Sequence, residues 1–219
     1  MNSKADLKKK IGEIQIIAFD FDDTLVDEKK FLYKKWNITL KKFNYLNKKL
    51  NFFFFLYYNF NNNKILDIVL KKLDIKLEYK IKILKTFRQT RIKEFQFKKT
   101  YKLIRLLKKK NIKVGIMTNG KKKYQEKRIK SLSFYNFLDF IYYGDKIQKP
   151  NKKFFFLNLE LRKMKNKSNF LYVGNDFKND IEPSKKINLN SVLINNVNYK
   201  GVCTFNSIES FYDFLKKYL

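Results

Sequence analysis

The chain has 219 residues, 44% of them hydrophobic, enough for one globular α/β core with a modest insertion. Histidine is absent and cysteine occurs once, which excludes imidazole catalysis, histidine metal sites, multi-cysteine zinc sites and an intrachain disulfide. The formal net charge is +30, but the lysine excess is spread over nearly every segment together with Asn, Ile, Phe and Tyr, so it reads as compositional drift of an AT-rich genome rather than a nucleic-acid surface.

Taken in chain order, residues 1–10 are polar and lysine-rich, without the apolar stretch of a secretory signal. No apolar run reaches the roughly 18 to 20 residues needed to cross a bilayer, so no membrane association and a cytoplasmic address are expected. Residues 14–19 (Ile-Gln-Ile-Ile-Ala-Phe) are nearly all apolar, as a central strand should be. About ninety residues then precede the next strand, far more than a crossover helix needs. Segments 31–51, 52–58, 65–73 and 77–87 look helical, with the Asn-rich 59–63 as a loop. A small helical cap is therefore placed at 28–97, inserted in a core formed by 1–27 and 98–219. Its aromatic cluster at 52–58 is read mainly as the core of that insertion.

Residues 100–110 carry Leu103, Ile104, Leu106 and Leu107 among lysines, which is amphipathic helix spacing. Strands are expected at 113–117, 140–143, 170–173 and 191–194, and helices at 126–132 and 152–161. The alternation predicts a Rossmann-like parallel sheet with helices on both faces.

The chemistry-bearing residues gather after those strands. Asp20 follows the first strand directly, where open α/β sheets bind ligands, and Asp22 points to the same side in extended geometry. Thr118-Asn119-Gly120 offers a hydroxyl and backbone amides to an anionic oxygen just past the second strand. Lys149 precedes Pro150 in a loop before a helix. Gly174 leads into Asn175, Asp176 and Asp180, an oxygen-rich cluster of the kind that suits Mg²⁺.

In this order the four segments resemble the four motifs of the haloacid-dehalogenase superfamily, from about residue 14 to about residue 195. Its pattern is Asp-x-Asp-x-Thr after a strand, then a strand ending in Thr or Ser, then Lys-Pro, then Gly-Asp with a further Asp. The insertion resembles the helical cap of one subgroup. The resemblance implies a Mg²⁺-dependent phosphatase acting on a small phosphorylated metabolite of the nucleotide or sugar-phosphate class. Asp20 would be the nucleophile, Asp22 the acid and base, and Thr118 with Lys149 the phosphate-binding groups, helped by Asn119 and Gly120. Asp20, Asp22, Asn175, Asp176 and Asp180 would supply the metal ligands. A sugar-phosphate mutase and an inactive, basic nucleic-acid-binding protein on the same fold are the alternatives. Two positions depart from the family pattern. Asp23 stands where many members carry Gly, and Asn175 occupies the usual first acidic position of the fourth motif, which passes the ligand role towards Asp176.

Overall fold

A computed structural model of the protein describes residues 1–43, 67, 70, 71, 76 and 78–219. The chain forms two compact units, Met1–Asp27 with Gln96–Leu219, and Glu28–Phe95. The larger unit is built on a sheet of β1 (Ile16–Phe19), β2 (Lys113–Thr118), β3 (Phe140–Tyr143), β4 (Phe170–Gly174), β5 (Asn190–Ile194) and β6 (Cys203–Phe205). The strand order is β3-β2-β1-β4-β5-β6, and every neighbouring pair is parallel. The described helices are α1 (Lys4–Lys10), α2 (Glu28–Lys41), α3 (Tyr79–Gln89), α4 (Thr100–Lys109), α5 (Lys122–Lys130), α6 (Lys153–Phe156), α7 (Leu159–Lys163), α8 (Glu182–Lys185) and α9 (Ile208–Tyr218). The parallel α/β core expected from the alternating pattern is the observed one.

Apolar side chains on alternate positions of β1 serve two separate cores, because successive strand residues face opposite sides. Ile17 and Phe19 pack with Leu7, Leu103, Ile104, Leu107, Phe211 and Leu215 on one face. Ile16 and Ala18 pack with Met117, Phe154, Phe155, Phe170 and Tyr172 on the other. Covered on both sides, β1, β4 and β5 are buried throughout. Gly115 in β2 lies under the Phe140 ring of β3, where an added Cβ would fall 2.2 Å from a ring carbon.

The chain runs outward from β1 to β2 and β3, then returns to the opposite side of β1 with β4. That reversal leaves a crevice at the carboxyl ends of β1 and β4, the usual ligand position in open α/β sheets. The register pairs Phe19 with both Ile116 and Val173, so Asp20, Thr118 and Gly174 come to the same edge of the sheet.

Several boundaries differ from the sequence reading. Ile14 ends a 3₁₀ turn, Ile11–Glu13, and β1 begins two residues later. The helix expected at 126–132 is α5, displaced towards the amino terminus. The helix expected at 152–161 is broken into α6 and α7, because the Asn158 side chain accepts from the Leu161 N–H and caps the second piece. Strand β6 and helices α1 and α9 were not anticipated. Helix α9 buries Ile208, Phe211 and Leu215 and is opened by a reciprocal Ser207–Ser210 capping box.

In the smaller unit, Trp36 of α2 stacks on Phe87 of α3 with ring centroids 4.2 Å apart. The buried hydroxyls of Thr39 and Thr90 lie 3.3 Å apart beside this contact. The helix expected at 52–58, most of that at 65–73 and the aromatic cluster lie outside the described residues. Among those described, no helix is long and apolar enough to cross a membrane.

Candidate functional site

Four polar side chains meet at the carboxyl edge of the sheet. The Asp20 N–H extends the β1–β4 ladder by donating to the Val173 carbonyl at 2.8 Å, which fixes where its side chain begins. Lys149 comes from the loop between β3 and α6. Its Nζ donates to Asp20 Oδ1 at 2.6 Å, to Asp180 Oδ1 at 2.6 Å and to the Tyr172 hydroxyl at 2.9 Å. Tyr172 Oη in turn lies 3.0 Å from Asp180 Oδ1. Asp20, Lys149 and Asp180 are all buried. Asp20 Oδ2 has no hydrogen-bond donor among the described residues, so this oxygen is the open one.

The cluster is short of positive charge: one ammonium faces two carboxylates in a low-dielectric setting. Burial pushes the Asp20 carboxyl up to about 7; Lys149 works against that rise, and the nearby Asp180 charge adds to it. Burial opposes the charge on Lys149, but Asp180 and Asp20 outweigh it and hold the ammonium above its ordinary value. Burial, with Asp180 and Asp20 adding to it, also keeps the Tyr172 phenol well above its ordinary range, so it stays a neutral hydroxyl. A proton on Asp20 or a further cation would balance the cluster.

Neighbouring backbone holds these groups in place. The Asn119 side chain accepts from the Lys149 N–H at 2.7 Å and donates to the Lys149 carbonyl at 3.0 Å. Thus Asn119, expected at the substrate, uses its amide to clamp the lysine loop. The Lys149–Pro150 peptide is cis. Gly174 makes room for Asp180, since a Cβ there would lie 2.4 Å from the carboxylate. Asp180 Oδ2 accepts from the Asp176 N–H at 3.0 Å.

The fourth-motif residues divide into different tasks. The Asp176 carboxylate caps the π-helical turn Phe177–Ile181: Oδ1 accepts from the Lys178 and Asn179 N–H groups, and Oδ2 accepts from Asn179 Nδ2. Its carboxylate thus serves its own turn, a task the metal-ligand expectation did not include. Asn175 Oδ1 accepts from the Thr24 hydroxyl at 3.1 Å, which ties the fourth segment to the first.

Asp22 stands apart from the lysine cluster. Its Oδ2 accepts from Gln125 Nε2 at 2.8 Å, and its Oδ1 lies 2.8 Å from Arg128 Nη2 as an ion pair without hydrogen-bond alignment. Gln125 Nε2 also donates to Thr118 Oγ1 at 3.3 Å. Between the two aspartates the chain turns through Asp23, whose φ of 55° lies in the left-handed region where glycine is the unstrained residue.

A family model described as haloacid dehalogenase-like hydrolase matches residues 17–194. The chain belongs to this family. No curated protein matches it in sequence. Among solved structures this haloacid dehalogenase-like hydrolase is similar to YfnB from Bacillus subtilis, solved bound to magnesium, with a TM-score of 0.71 and 18% identity over 93% of this chain and 99% of that one. It is also similar to a HAD phosphatase from Thermococcus onnurineus, with a TM-score of 0.62 and 19% identity over 92% and 98% of the two chains. A Thermotoga maritima protein named as a beta-phosphoglucomutase gives a TM-score of 0.76 and 17% identity over 94% and 100%. Dehalogenases occur among the similar structures as well. At these identities the likeness establishes the fold.

Three residues of this hydrolase that the sequence reading passed over take part in the site: Gln125, Arg128 and Tyr172. Gln125 and Arg128 are three apart on α5, hence on one face, and that spacing was the one available signal. Tyr172 read as an ordinary strand residue.

No group of three His, Cys, Asp or Glu side chains able to hold a metal occurs among the described residues. Mg²⁺ does not require one, since it takes one or two carboxylates and keeps several waters. The open Asp20 oxygen, the charge deficit beside it and the hard amide oxygen of Asn175 fit such an ion.

Proposed function

We propose that this hydrolase is a phosphatase acting on a small phosphorylated metabolite of the nucleotide or sugar-phosphate class. The observation that carries the reading is the buried Asp20 carboxylate, anchored through one oxygen to Lys149 with the other open at the sheet edge. Asp20 Oδ2 attacks phosphorus, the ester P–O bond breaks, and Asp22 gives its proton to the departing oxygen. Water then attacks the same phosphorus, Asp22 takes the water's proton, and phosphate leaves with Asp20 restored as a carboxylate. Thr118 binds a phosphoryl oxygen, and the Lys149 ammonium, whose three hydrogens go to Asp20, Asp180 and Tyr172, acts on the phosphoryl group through its charge, the electrostatic contribution that dominates phosphoryl transfer. Asp20, the Asp22 carbonyl and Asn175 would hold Mg²⁺, whose charge would offset that building between nucleophile and phosphate.

Asp22 also favours phosphate esters over organic halides, because a halide departs without a proton and an alkoxide does not. A mutase is the second reading, supported by the likeness to the Thermotoga maritima structure. Transfer to a substrate hydroxyl in place of water separates the two. The first test is hydrolysis of p-nitrophenyl phosphate with Mg²⁺. The wild-type protein is expected to release phosphate, and Asp20→Asn to release none while remaining folded. Turnover by Asp20→Asn at the wild-type rate removes Asp20 as the nucleophile.

A further inference from the structure

The contacts around Asp22 contain more organisation than a lone acid and base requires. Gln125 is buried and Arg128 is partly buried, both projecting from the same face of α5. The Gln125 amide has two hydrogens; one goes to Asp22 Oδ2 and the other to Thr118 Oγ1. Its orientation is settled by Arg128, whose Nη1 donates to Gln125 Oε1 at 3.1 Å. The flipped amide would set an oxygen against the Asp22 carboxylate and its NH₂ against a guanidinium. Arg128 is fixed in turn by the Phe21 ring, 4.8 Å from the guanidinium carbon to the centroid. Gly120 completes the fit, since a Cβ there would lie 2.2 Å from Gln125 Cγ.

Building on the phosphatase reading, we infer that Gln125 and Arg128 are positioning residues that hold the Asp22 carboxyl beside Thr118, in line with the oxygen that leaves phosphorus. Gln125 acts through hydrogen bonds to Asp22 and Thr118, Arg128 acts through its ion pair with Asp22, and neither touches the reacting atoms. Three parts that phosphoryl transfer uses together, the leaving-group acid, the phosphate-binding hydroxyl and the Phe21 turn next to the nucleophile, are thereby braced by one helix face. The brace also gives Gly120 a purpose distinct from the phosphate-binding amide expected of it, because any side chain at that position would push Gln125 off Asp22.

The readout that separates this role from a merely structural one is sensitivity to the leaving group. Phenol is a poorer leaving group than p-nitrophenol and depends more on protonation by Asp22. The value of kcat/KM reports the steps up to cleavage of the ester bond. Gln125→Met and Arg128→Met should lower kcat/KM for phenyl phosphate about tenfold more than for p-nitrophenyl phosphate, within the range general acids contribute. Arg128→Lys, which keeps the cation but loses the fork, should fall between these variants and the wild type. A partly unfolded variant loses both activities by the same factor, so the ratio is insensitive to folding yield. An unchanged ratio in all three variants, or a gain in activity on phenyl phosphate, overturns the inference. Wild-type protein inactive on both esters defeats the phosphatase reading, and this inference with it.

Discussion

Replacing Lys149 by Met removes the only cation among the described residues bonded to both Asp20 and Asp180 while preserving most of the side-chain volume. The Lys149 side chain is 3% exposed and Nζ lies 2.6 Å from an oxygen of each carboxylate, so water cannot take its place cheaply. Removing one partner from such a buried arrangement costs about 3–5 kcal/mol. For a chain of this size that corresponds to a fall in Tm of roughly 6–20 °C. The pH dependence gives a sharper test. A carboxyl raised on folding weakens the fold as pH climbs from its unfolded value towards its folded value, and the loss is constant above that. With Lys149 present this window for Asp20 runs from about 4 to about 7. Lys149 works against the rise, so its removal moves the upper limit higher. Above pH 7 the variant therefore keeps losing stability where the wild type has levelled off, by up to about 1.4 kcal/mol per pH unit. Thermal melts followed by circular dichroism at pH 6 and pH 9, in chelator so that no metal substitutes for the ammonium, should show a wider gap at the higher pH. Equal gaps at the two pH values, or no destabilisation, would refute the charge-deficit argument.

Other perturbations test separate parts of the site. Gly174→Ala drives a methyl into the Asp180 carboxylate and should cost about 1–3 kcal/mol in denaturant melts, as overpacking of a filled space does. Asp176→Ala should lose about 1 kcal/mol as a missing cap, whereas Asp176→Ser should recover it, and neither should alter the Mg²⁺ concentration giving half-maximal rate. Mg²⁺ should raise the Tm of the wild-type protein by mass action, and Asp20→Asn should reduce that rise, a calorimetric result independent of catalysis. Leu215→Ala, in the fully buried face of α9, should cost about 2–5 kcal/mol by chemical denaturation without altering the leaving-group ratio.

The central strands were legible because parallel strands covered on both faces must be apolar at every position, as 14–19 and 170–173 nearly are. Strand β6, Cys203–Phe205, is too short for such a pattern to register, and α1 carries one buried apolar residue, Leu7, among lysines. At the site, Asp20, Thr118 and Lys149 could be located because each follows or ends a recognisable strand or precedes a proline. The contacts of Gln125, Arg128 and Tyr172 could not, since they arise from pairings 103, 106 and 23 residues apart in sequence. Asp176 shows the opposite difficulty. Its charge is plain in the sequence, but the direction of its carboxylate is decided by the two backbone N–H groups it caps.

The two hydrogen bonds from Asn119 to the Lys149 backbone join loops that are thirty residues apart along the chain. The two loops are thus tied to each other, and a shift of one is resisted by the other. A centre built this way tolerates little retuning from within. Redirecting the protein towards a different substrate would therefore be sought in surfaces beyond these tied loops, leaving their geometry untouched while the fit to the rest of the substrate changes.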